Sequence, residues 1–156
     1  MRCTALPVVL ALILSFTAPS SGWASDATGP YLDFTTEVDY TEIHFSAGIA
    51  HVNKKPYTGI SITSFEDKMP MALYSWNNGI RHGIYIEFSE DRERYTMGSY
   101  LNGNKHGGFI TFRGSPGHIF QTGHYRNDKL HGELISFDAD GNVKRKLEFI
   151  DDNLRP

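Results

Sequence analysis

The chain has 156 residues, a formal net charge of −3 and a single cysteine. That mild acidity argues against a nucleic-acid binder, which would carry a basic excess. One cysteine excludes an internal disulfide, a four-thiolate zinc site and an iron–sulfur cluster, and the length suits one domain.

The first predicted element is a leader. Met1-Arg2 supplies a short positive start, and Ala5 to Phe16 is an uncharged apolar run of signal-peptide length. Gly22 and Ala24 are small residues at the −3 and −1 positions of a cleavage site, so residues 1–24 are predicted to be a signal peptide removed after Ala24. The run is shorter than the roughly 20 residues a membrane-spanning helix needs. Cys3 lies inside this segment and ahead of the apolar run, so the mature chain is expected to carry no cysteine and no lipidated N-terminus. The expected setting is secreted or periplasmic.

Residues 25–52 follow as an N-terminal strand or cap region. Val38 and Tyr40, then Ile43 and Phe45, alternate with polar residues. The alternation predicts one or two strands, or a strand with a short irregular cap, covering what comes next.

From residue 53 the chain repeats itself. Trp76-Asn77-Asn78-Gly79-Ile80-Arg81-His82-Gly83, Tyr100-Leu101-Asn102-Gly103-Asn104-Lys105-His106-Gly107 and Tyr125-Arg126-Asn127-Asp128-Lys129-Leu130-His131-Gly132 align column by column. The alignment continues through Ile86, Ile110 and Ile135 to Phe88, Phe112 and Phe137. A degenerate copy precedes these three, with Thr58-Gly59 at the His-Gly position, and a partial one follows from Phe149, with Arg155 at the histidine position. The units fall near residues 53–75, 76–99, 100–124 and 125–148, with a partial unit at 149–156.

Each unit reads as one β-hairpin. After His-Gly comes a strand in which Ile84, Ile86 and Phe88 alternate onto one face, then a polar turn such as Gly114-Ser115-Pro116-Gly117, then a returning strand such as Arg94 to Leu101. The next turn carries Asn-Gly or Asn-Asp, which tolerate positive φ. No long stretch has helical periodicity. The predicted fold is therefore all-β, with tandem hairpins paired edge to edge in an elongated, twisted antiparallel meander.

These residues resemble the MORN repeat, whose pattern is roughly Gly-x-aromatic-x-x-Gly-x-x-His-Gly. Gly98 through Gly107 fits it nearly position by position, and Gly123 through Gly132 fits with Asp128 in place of a glycine. The Pro56-Tyr57-Thr58-Gly59 opening is similar to the MORN-variant proteins known as YwqK-type antitoxins. The resemblance covers residues 53–156 and implies a solenoid-like stack of hairpins used as a surface for partners, in some members for phospholipid head groups. The antitoxin label implies neutralising a toxin by binding it.

Candidate chemistry is sparse. Equivalent positions in successive hairpins lie two strands, roughly 9–10 Å, apart, so His82, His106 and His131 cannot share one zinc ion bound at about 2 Å. A structural role over the turn is expected for them and for Gly83, Gly107 and Gly132. Asp138-Ala139-Asp140-Gly141-Asn142 has the start of a calcium loop without its later bidentate acid. No catalytic constellation, metal site or cofactor is expected. The aromatic columns remain. Trp76, Tyr100 and Tyr125 form one ladder with Phe149, and Phe88, Phe112 and Phe137 form another. Tyr85, Phe109 and Leu134 lie opposite the isoleucine column and are the candidate partner-binding surface. The expected function is an exported, non-enzymatic binding module for a protein partner, either toxin-neutralising or an envelope scaffold. The alternative is a peripheral module for anionic phospholipid.

Overall fold

The computed structural model describes residues 37–67, 69–114 and 117–156. The predicted signal segment (1–24), the first part of the predicted cap region (25–36), residue 68 and residues 115–116 lie outside the described residues.

Alternation between apolar and polar residues produces strands almost throughout, joined into an open antiparallel meander. The first repeat unit contributes β4 (Lys55–Pro56), β5 (Gly59–Ser64) and β6 (Pro70–Asn77). The second contributes β7 (Ile80–Phe88) and β8 (Arg94–Leu101), and the third β9 (Asn104–Lys105), β10 (Gly107–Arg113) and β11 (His118–Arg126). β12 (Lys129–Leu130), β13 (Gly132–Phe137) and β14 (Val143–Ile150) follow, and β15 (Asn153–Leu154) begins the last, partial unit. The main sheet runs β5-β6-β7-β8-β10-β11-β13-β14-β15, so neighbours in sequence are neighbours in space. No helix among the described residues is long and apolar enough to cross a membrane.

The short turns explain the Asn-Gly signal. Both central residues have positive φ at Asn78-Gly79 (47° and 80°), Asn102-Gly103 (50° and 92°), Asn127-Asp128 (51° and 68°) and Asp151-Asp152 (49° and 69°). This is the type I′ arrangement that matches the twist of two paired strands. The turns are also tied to one another. The second turn residue donates its N–H to the preceding unit in each case: Gly79 to Tyr57 O (2.7 Å), Gly103 to Arg81 O (2.8 Å), Asp128 to Lys105 O (2.9 Å) and Asp152 to Leu130 O (3.0 Å). Where the glycine is replaced by aspartate, the carboxylate adds a second tie. Asp128 Oδ1 accepts from Lys105 N (2.7 Å) and Asp152 Oδ1 from Leu130 N (2.8 Å). Asp128 is thus a substitution with its own bond.

The cap differs from a plain alternating strand. β1 (Glu37–Asp39) pairs parallel with β5, and a 3-10 turn over Tyr40–Glu42 interrupts the alternation. Asp39 causes the break: its carboxylate accepts from Thr41 N (2.8 Å) while Glu42 reaches back to Asp39 N (3.3 Å), a capping box. β2 (His44–Ser46), β3 (Ile49–Val52) and β4 then form a separate three-stranded sheet. Ile43, Ala50 and Tyr57 from this region are buried together with Trp76 of the main sheet. A second buried cluster, Ile60, Leu73 and Ile86, lies on the isoleucine face, with Phe88, Tyr95 and Met97 against it.

Candidate functional site

The His-Gly pair forms a backbone feature. Gly83, Gly107 and Gly132 have φ of 87°, 87° and 86°, a region closed to most side chains. The preceding residue ties this kink to the strand beside it: His106 N–H donates to Ser99 O (3.0 Å), His131 N–H to His124 O (3.0 Å) and Arg155 N–H to Glu148 O (2.8 Å). The bond uses only the main chain, so arginine replaces histidine without changing it. At the first unit Thr58 contributes through its side chain, its Oγ1 accepting from Asn78 N (2.9 Å). His131 Nδ1 lies 3.3 Å from Asp151 Oδ1, but neither it nor the buried His106 Nδ1 has a hydrogen-bond partner among the described residues. Among the described residues no group of three or more His, Cys, Asp or Glu is placed to hold a metal ion.

The register sets each head aromatic opposite the glycine of the unit before it: Trp76 faces Gly59, Tyr100 faces Gly83, Tyr125 faces Gly107 and Phe149 faces Gly132. On its other side each faces the residue that ends the tight turn: Arg81, Lys105, Leu130 or Leu154. The two cations lie across the rings. Arg81 sits 4.2 Å from the Tyr74 ring centre and 5.4 Å from that of Tyr100, and Lys105 sits 4.6 Å from that of Tyr85. Glu87 completes the group, accepting from Lys105 Nζ (2.9 Å) and from the Tyr74 hydroxyl (3.1 Å).

This strip corrects the expected contact surface. Tyr85 and Phe109 share a face with the head aromatics, as parity requires, but they are only 1% and 4% exposed, and Leu134 is half-buried. The reason lies in glycines of the neighbouring strand. A Cβ on Gly98 would stand 2.7 Å from the Tyr85 ring, and one on Gly123 would stand 2.7 Å from Phe109 and 2.9 Å from Leu134. The rings lie down in the space those glycines leave, and Tyr100 closes over Tyr85 with ring centres 5.2 Å apart. The Tyr85 hydroxyl is buried without a hydrogen-bond partner among the described residues, and burial pushes its pKa up, with Glu87 adding to the shift. Tyr85 and Phe109 therefore belong to the packed interior of the sheet face, whereas Leu134 keeps part of its surface open.

Exposed apolar groups occur in both halves of the chain: Phe45 (52%) and Met69 (56%) in the first, and a second set in the last hairpins. Ile119 is 42% exposed, Val143 57% and Leu154 55%. Ile119 pairs with Phe112, and Val143 with Phe137, at equivalent positions in successive hairpins. Beside them a shallow cleft of about 380 Å³ is lined by His118, Ile119, Phe137, Ala139, Asp140 and Gly141. Asp138 shapes one wall, its Oδ1 accepting from Asp140 N (3.0 Å) and Asn142 N (2.8 Å). Those bonds, that from Asn142 first, hold its carboxyl below the ordinary range. Sequence reasoning placed no partner surface here, and unit alignment with attention to exposed apolar residues at Ile119 and Val143 was the available signal.

No protein-family model, curated protein or solved structure matches this chain.

Proposed function

We propose that this chain is an exported, MORN-like binding module that holds a protein partner with its last two hairpins. The observation that supports this reading is the pair of exposed side chains Ile119 and Val143 beside the cleft lined by Phe137, on a sheet where Trp76, Tyr85, Tyr100 and Phe109 are buried. Apolar side chains grouped beside a concave surface and rimmed by His118 and Asp140 are the ordinary make-up of a contact site. The leader-like segment of residues 1–24 supports an envelope or extracellular setting. Toxin neutralisation and scaffolding are the two concrete versions, and the identity of the partner separates them.

The test is a pull-down of the tagged mature protein from its own envelope extract, with bound proteins identified by mass spectrometry. One stoichiometric protein is expected, and it should be lost when Ile119→Asp and Val143→Asp are combined. Both side chains are exposed, so the variant should melt like the parent. Retention of the partner by the folded variant would remove this surface from consideration.

A further inference from the structure

We propose that the outer edge of β14 takes an extended, acidic segment of a partner protein as an added antiparallel strand. This deepens the binding-module reading and rests on it. In each internal unit, two residues of the returning strand pair with the next hairpin: Ala72 and Leu73 with Glu87 and Ile86, Thr96 and Met97 with Thr111 and Ile110, Gln121 and Thr122 with Ser136 and Ile135. The equivalent residues of β14 are Arg145 and Lys146. Among the described residues no strand lies along them, because β15 pairs only with Phe149 and Ile150. Arg155 N–H takes the Glu148 carbonyl, as His106 and His131 N–H take those of Ser99 and His124, and among the described residues the covering stops there.

The side chains change together with the surroundings. Where the internal strands carry Met71-Ala72-Leu73, Tyr95-Thr96-Met97 and Phe120-Gln121-Thr122, β14 carries Lys144-Arg145-Lys146, all exposed. Lys146 pairs with Glu133 (2.8 Å), but both side chains are more than half exposed and the pair holds little. Lys144 and Arg145 form no ion pair among the described residues. An open strand edge is a template for another strand, and like charges set opposite each other oppose pairing. Three consecutive cations therefore turn away a second copy of this edge and an apolar strand alike. A strand bearing carboxylates meets both the backbone groups and the charge, which is the mode of strand addition.

The experiment is a fluorescence-anisotropy titration of the mature protein against a short synthetic peptide alternating glutamate with threonine and valine. Two controls accompany it: the same peptide N-methylated at alternate residues, and one with glutamine for glutamate. The expected result is saturable binding that falls at least about tenfold with either control. It should fall similarly for Lys144→Glu with Arg145→Glu, exposed positions whose circular dichroism and melting report the fold. Amide exchange at Lys146 should slow when peptide is bound. No saturable binding, or binding indifferent to N-methylation, would overturn the proposal, the second by showing simple charge attraction. Equal binding to vesicles of anionic phospholipid, or a change in oligomeric state on charge reversal, would also overturn it. An envelope partner retained by the charge-reversed variant would leave the binding-module reading standing and sink the edge alone.

Discussion

The first hairpin and the last are written on one template and end in different surroundings. Trp76 and Phe149 occupy the same column and each faces a glycine. Trp76 is buried, covered by Ile43 and Ala50 of the cap and by Tyr57, and donates its indole N–H to Ser61 Oγ at 2.8 Å. Phe149 is half-buried, flanked by the exposed Leu154. The residue that closes the tight turn changes along the same axis, from Arg81 and Lys105 lying over rings to Leu130 and Leu154. One repeat thus builds a core where a cap covers it and a more open surface where none of the described residues does. The comparison separates positions that hold the fold from positions free to meet a partner.

The sharpest way to break this comparison is to truncate the same column at both ends. Trp76→Ala should cost about 3–5 kcal/mol, the usual range for a buried aromatic. Phe149→Ala should cost well under half of that, about 1 kcal/mol, because its ring is only partly buried. Denaturant midpoints of the two variants decide it. Equal losses would mean that the end units are packed as firmly as the first.

A second test uses alkali. The Tyr57 hydroxyl is buried and donates to Ile60 O at 2.7 Å. Burial, reinforced by Glu37 and Glu42 and opposed by the bond to Ile60, raises its pKa from 10.0 to about 12. A phenol raised in the folded state gives stability that is fully present below the unfolded value and lost as pH rises through the folded one. Unfolding should therefore grow between pH 10 and 12, and Tyr57→Phe should be the less steeply affected protein across that window. Circular dichroism beside tyrosinate absorbance follows both events. Ionisation of Tyr57 with the fold intact would show that the cap opens alone.

The turn ties predict a smaller effect. Asp128→Gly removes the carboxylate bond to Lys105 N while relaxing a residue at φ 68°. These oppose each other, so the net loss should be about 0.5–1 kcal/mol. The Lys105 amide should exchange faster even if the midpoint barely moves. Unchanged exchange would mean that the Asp128 N–H bond to Lys105 O suffices.

Much of this architecture was legible because it rests on residue types that few others replace. The Asn-Gly and Asn-Asp turns, the His-Gly kink and the returning strand Arg94–Leu101 follow from positive φ and alternation. The cap was less legible, since the Asp39 side chain overrides the alternation of Val38 and Tyr40. Periodicity also put Tyr85, Phe109 and Leu134 on one face but did not show that Tyr85 and Phe109 are buried there. Parity gives the side of a sheet, whereas exposure depends on what the neighbouring strand carries, here Gly98 and Gly123 beneath the rings. Lys144, Arg145 and Lys146 read as an ordinary charged stretch until the register set them beside the columns they replace.

The weakest interactions should be those between the last units, and acid can isolate one of them. Asp151 accepts two bonds from Arg126 Nη2, at 2.9 and 3.1 Å, across adjacent turns. The Arg126 bond holds the Asp151 carboxyl below its ordinary range, against a small opposing effect of burial and with His131 assisting. A carboxylate lowered in the folded state gives stability that is present above the unfolded pKa and lost as pH falls through the folded one. The group lies at the surface, where solvent and salt screen it, so its contribution is small. Arg126→Ala should lower the denaturant midpoint slightly at neutral pH, and the difference from the parent should vanish once the carboxylates are protonated. High salt at neutral pH should shrink it in the same way. A difference that survives both acid and salt would mean that the arginine stem packs against the neighbouring turn, and that the last hairpins are joined by contact as the first ones are.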